Sequence, residues 1–111
     1  MKPLLRAVAV MAFLLVSETA LAQTTIGVSD CGQWINQQNV ARKAWLLGFL
    51  TGLDVMWTRW SMNTMKTIVH PLDKLNSAEQ AYVWMDNYCR ANPLENVGNG
   101  GVLLFIELQD K

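Results

Sequence analysis

The chain has 111 residues, with nine Lys and Arg against nine Asp and Glu, one His, two Cys and five Trp. That length leaves room for one modest domain, and the balanced charge, with no basic run, argues against electrostatic capture by nucleic acid or an anionic lipid surface. Two cysteines and one histidine, at no zinc-site spacing, are too few for a closed structural zinc centre.

Residues 1–22 read as a removable export signal. Lys2 and Arg6 precede the apolar run Ala7 to Val16, and Ala20-Leu21-Ala22 offers small residues where a signal peptidase reads. The run is too short to anchor the chain in a bilayer. The mature chain then starts at Gln23, and 111 residues less 22 leaves 89, a single domain over 23–111. Removing Lys2, Arg6 and Glu18 leaves seven basic and eight acidic side chains, a net charge of −1. Export carries Cys31 and Cys89 into an oxidising compartment, where two cysteines usually form one disulfide; two buried free thiols are the alternative. Closing that loop contributes about 4 kcal/mol on the chain-entropy argument, useful in so small a domain.

Gln23 to Ser29 is expected to be a loose polar leader. Ser29 or Asp30 caps a short turn of helix carrying Cys31 and Trp34, and Gln37-Gln38-Asn39 breaks it. From Val40 to about Met62 the apolar residues recur at helical spacing. Leu46, Leu50, Leu53, Trp57 and Trp60 form one stripe, widened by Trp45, Phe49 and Met56, with Lys43, Thr51, Asp54, Thr58 and Ser61 expected opposite it. Ala41, Ala44, Gly48 and Gly52 make a third, small strip, and the two glycines one turn apart predict close approach of a neighbouring backbone. A second membrane segment is not expected: Ala44 to Met56 is short and contains Asp54.

Asn63 to Asn76 is irregular, with a boundary at His70-Pro71. A helix then opens at Asn76 or Ser77, either of which has a capping-box partner in Glu79 or Gln80. Ala78, Ala81, Tyr82, Met85, Tyr88 and Cys89 line one face, and Glu79, Gln80, Asp86, Asn87 and Arg90 the solvated one. The last helix is expected to start at once, capped by Asn92 with Pro93 in first position, and to run through Leu108. Gly98, Gly100 and Gly101 weaken it, and a short strand over Val102 to Leu108 is the alternative.

No catalytic constellation emerges. His70, the sole histidine, sits in a turn before Pro71, and Cys31 lacks any nucleophile signature. Among the carboxylates Asp54, Asp73, Glu79, Asp86 and Glu95 no pair stands out for glycosidic chemistry, and Asp54, between Thr51 and Thr58, is expected to be exposed. No cofactor and no metal is implied. What remains is an amphiphilic end of the long helix, where Trp57, Trp60, Met62 and Met65 form either an adaptable contact patch or a cover over the core.

Cys31-Gly32-Gln33-Trp34, the run Trp45-Leu46-Leu47-Gly48-Phe49-Leu50-Thr51-Gly52 and Tyr88-Cys89-Arg90-Ala91-Asn92-Pro93-Leu94 together resemble the small exported helical proteins grouped around the HdeA-type acid chaperones. They are also similar to the periplasmic immunity proteins that neutralise secreted amidase toxins. The resemblance implies an all-α domain of four or five helices with Cys31 bonded to Cys89, a periplasmic location, members that commonly pair as homodimers, and a non-enzymatic role binding another exported protein. HdeA-type chaperones are rich in charge, whereas this chain is only 16% charged. Full protonation of the eight acidic groups would still leave about +8. An immunity role needs an insertion loop, for which Asn63 to Asn76 is the candidate.

Overall fold

The computed structural model describes residues 26–64 and 67–111, so the expected export signal over residues 1–22, the first residues of the expected leader and Met65 lie outside the described residues. Within them the fold is all-α. Helix α1 spans Cys31–Asn36, α2 Val40–Thr64, α3 Ala78–Ala91 and α4 Val97–Gln109, with a 3-10 turn, η1, at Pro71–Lys74.

Helix α1 is short but fully capped. The Asp30 carboxylate accepts from the Gln33 N–H (2.7 Å) and the Gln33 side chain accepts from the Asp30 N–H (3.1 Å), a complete capping box. This box sets Cys31 and Trp34 on the buried side, and a disulfide ties Cys31 to Cys89 of α3, Cα to Cα 4.9 Å. The core lies where α1, the first half of α2, α3 and α4 meet: Trp34, Leu46, Leu50, Met85, Val97, Leu104 and their neighbours are closed off from solvent. Trp34 is 0% exposed, and its Nε1 donates to Asp86 Oδ1 (2.8 Å), so the buried indole is satisfied. Asp86 is therefore half-buried as an acceptor, not on a purely solvated face as its spacing implied.

The last helix does form, and no strand replaces it, but it starts at Val97 with Asn96 as its cap. Its start is displaced from Asn92-Pro93 by a long-range cross-tie. Cys31 N–H donates to Glu95 O (2.9 Å) and Val97 N–H to Ser29 O (2.9 Å), forming a bridge between Asp30 and Asn96 that holds Asn96 in extended geometry. Asn92 instead closes α3, its N–H and its Nδ2 both donating to Tyr88 O. The same cross-tie corrects the expected loose leader from its Val28 end: Ser29 is buried, Val28 packs on the core and the Ile26 carbonyl accepts from Trp45 Nε1 (3.0 Å).

The glycines of α4 are what let it seat. A Cβ at Gly100 would stand 2.7 Å from both Met85 Sδ and the Tyr88 ring, and one at Gly101 2.8 Å from the Phe49 ring. The close approach of helix to helix falls here. At Gly48 and Gly52 of α2, where the sequence pattern predicts it, a Cβ would meet nothing within 4 Å. Two small residues one turn apart permit close packing, but they do not supply the neighbour.

Candidate functional site

Helix α2 is 25 residues long, and its two halves have different surroundings. Leu46 and Leu50 are buried under α4, and Trp45 stacks on Phe49 with ring centroids 5.1 Å apart. Beyond Leu53 the neighbour changes to the segment 67–70 and η1. There the buried line of the helix turns to Ser61, which is 0% exposed, while Trp60 is 50% exposed. This reverses the expected places of these two residues. The cause is the side from which the returning chain covers the helix, a choice that helical spacing does not contain.

The same covering segment half-buries Asp54 and Thr58, so Asp54 is not the exposed carboxylate that its threonine neighbours implied. His70 Nδ1 stands 3.1 Å from Thr58 Oγ1 and 3.3 Å from Asp54 Oδ2, and Trp57 Nε1 donates to Val69 O (3.1 Å). These contacts pin residues 69 and 70 to α2. Hydroxyl, imidazole and carboxylate do meet, but not as a nucleophilic relay. In a relay the carboxylate and the hydroxyl engage opposite ring nitrogens, whereas here both reach for Nδ1. The arrangement is a clamp.

Trp57 and Trp60 pack against each other, ring centroids 5.0 Å apart and tilted by 32°. Trp57 is half-buried under the pinned segment, and Trp60 carries the pair out to solvent. Met62 is exposed as well, and Met65 lies outside the described residues. The structure adds residues that the sequence reading did not place at this surface: Val55, Met56, Ile68 and Val69 are all exposed. The signal for Met56 was available, because it sits four residues from Trp60 and so one turn below it on the same flank. Ile68 and Val69 carry no periodic signal; only the Trp57 bond to the Val69 carbonyl brings them alongside the helix.

Elsewhere the polar chemistry is structural. A groove of about 610 Å³ runs between η1, α3 and the end of α4, where Trp84 Nε1 donates to Glu107 Oε2 (2.6 Å). It holds two carboxylates, Glu79 and Glu107, and no histidine, serine or cysteine. Lys74 Nζ donates to Leu108 O (2.6 Å) and so caps the last carbonyls of α4. Lys43 Nζ lies 5.0 Å from the centre of the Tyr82 ring. Burial, and then the nearby Glu95 carboxylate, push the Tyr88 hydroxyl above the usual tyrosine pKa. Among the described residues no three metal-ligating side chains come together, and no helix is long and apolar enough to cross a membrane. No family model matches the chain, and neither the curated proteins nor the solved structures contain a match.

Proposed function

We propose that this chain is a non-enzymatic, exported protein-binding module that holds another exported protein through the apolar end of α2. The observation that carries this reading is the exposure of Trp60 together with Met56, Met62, Ile68 and Val69, at the end of a helix whose first half sends Leu46 and Leu50 into the core. A large aromatic half out of solvent beside two flexible thioethers is the side-chain chemistry of an adaptable contact surface. Singly scattered apolar residues need no such explanation, but here Met56, one turn from Trp60, and Val69, bonded through its carbonyl to Trp57, adjoin one pair of packed indoles. Under the chaperone form of this reading, acid leaves the mature chain strongly positive, loosens it and widens this surface for unfolding clients. The location in the periplasm and the likeness to HdeA-type proteins belong to the same proposal.

A specific inhibitor is the second reading, and the clamp at His70 favours it. A loop tied to α2 by the Trp57, Thr58 and Asp54 contacts presents Ile68 and Val69 in one preset arrangement, which suits one enzyme better than many clients.

The test uses the oxidised mature chain and several unrelated exported proteins shifted to about pH 2 to 3, a range in which carboxylates protonate. Suppression of their aggregation, with a red shift of tryptophan emission, is the chaperone outcome. One tight partner at neutral pH and no suppression in acid is the inhibitor outcome. Neither activity, with Trp60→Ala indistinguishable from the parent in both assays, removes the binding-module reading.

A further inference from the structure

The three methionines among the described residues of the domain are sorted sharply by exposure. Met56 is 68% exposed and Met62 65%, whereas Met85 is 0% exposed and packs against α4 at Gly100. Met56 and Met62 stand on opposite flanks of the outward stripe of α2 that carries Val55 and Arg59, with Met56 one turn below Trp60. Both side chains therefore sit at the flanks of that stripe and are largely open to solvent.

Resting on the binding-module reading, we propose that Met56 and Met62 form a reversible oxidation site through which peroxide weakens the apolar face. The sulfur lone pair attacks one oxygen of hydrogen peroxide; an S–O bond forms, the O–O bond breaks, and the departing oxygen leaves as water after proton transfer. Sulfur loses two electrons and peroxide gains them. The product is a sulfoxide, a polar and chiral group where a polarizable thioether stood, and it is returned to the thioether by methionine sulfoxide reductases. Two such groups flanking Val55 and Arg59 leave Val55 and Trp60 as the exposed apolar side chains of that half of α2 that oxidant does not alter. Met85 serves as the internal control, since the same chain carries a thioether that oxidant does not reach without opening the core.

The experiment treats the oxidised mature chain with millimolar hydrogen peroxide and follows each methionine by peptide mass spectrometry. Retention on a phenyl matrix is measured in parallel. Met56 and Met62 are expected to convert well before Met85. Retention is expected to fall and to recover after treatment with the two epimer-specific reductases, and client binding to weaken about fivefold. A double variant, Met56→Leu with Met62→Leu, keeps the surface apolar and is expected to hold its retention under peroxide. Conversion of Met85 at the same rate as the other two, or an equal loss of retention in the leucine variant, overturns the proposal. Failure of the untreated protein to hold any client sinks the binding-module reading alone, because the peptide map and the phenyl retention still decide the oxidation site. Undiminished client binding by fully converted protein has the reverse effect: the module stands and the switch falls.

Discussion

In α4 two glycines are buried where Tyr88, Met85 and Phe49 leave no room for a methyl group; in α2 two glycines face open space. The residue type is the same, with Gly100 and Gly101 adjacent and Gly48 and Gly52 one turn apart, yet one pair is a packing device and the other is a weak point in a helix. A glycine in a helix is less favourable than alanine by about 1 kcal/mol, whatever surrounds it. In α4 that penalty is offset by the seating of the last helix against α2 and α3. In α2 nothing among the described residues offsets it. The difference teaches that small-residue spacing reports where an approach is sterically allowed, and only the rest of the fold determines whether it happens.

The largest effect expected on this packed side comes from its covalent tie. Replacing Cys31 and Cys89 by serine should lower stability by about 4 kcal/mol, read from urea unfolding of the two chains. A loss under 1 kcal/mol would mean that the cross-tie between residues 29–31 and 95–97 holds α1 in place unaided. Next, Gly100→Ala should destabilise by about 1–3 kcal/mol, because the added methyl meets the Tyr88 ring and the neighbouring sulfur. A neutral Gly100→Ala would erase the contrast with α2. Gly52→Ala should act in the opposite direction and stabilise by about 0.5–1 kcal/mol, since it gains helix propensity and meets nothing. Destabilisation there would show that α2 has a neighbour at its glycine face in solution. Trp60→Ala is expected to change stability least, by about 0.5 kcal/mol, while reducing client or partner binding tenfold or more on the proposed reading. A large stability loss would make Trp60 a core residue.

Alkaline pH adds a check on the Tyr88 environment. Its hydroxyl pKa is raised in the folded chain, so the folded state keeps that proton more tightly than the unfolded one. The resulting stability is present below the unfolded tyrosine value of about 10 and is lost as pH rises through the folded value. Tyr88→Phe should flatten the alkaline limb of the stability profile.

Helix identity was legible in the sequence because each main helix repeats its apolar residues every three to four positions, and Leu46, Leu50, Ala81, Met85 and Cys89 are buried as that spacing requires. The Asp30 cap was equally local, and the side chain that completes it lies three residues away. What was not legible depends on partners far away in sequence. Asn92-Pro93 offers a sound helix start, and only the hydrogen bonds from residues 29–31 move the start to Asn96. Ser61 and Trp60 exchange expected places because the segment 67–70 returns on one side of α2 and not the other. Of the candidate surface, Trp60 and Met62 were visible as an apolar surplus at a helix end, whereas Ile68 and Val69 join it only through the fold-back at Trp57.

The cross-tie at Asp30 and Asn96 also bears on how the chain reaches its native state. The disulfide closes a sequence separation of 58, and α4 takes its starting point from backbone groups that precede α1. A helical bundle built from neighbouring hairpins folds quickly because its contacts are local; here the decisive pairings are among the most distant that the domain contains. As the polypeptide emerges N-terminus first, Cys31 waits through the whole of α2 and most of α3 before its proper thiol arrives. During that interval it is open to mispairing with any other thiol nearby, and a foldase that delays its oxidation would raise the yield of correctly closed molecules.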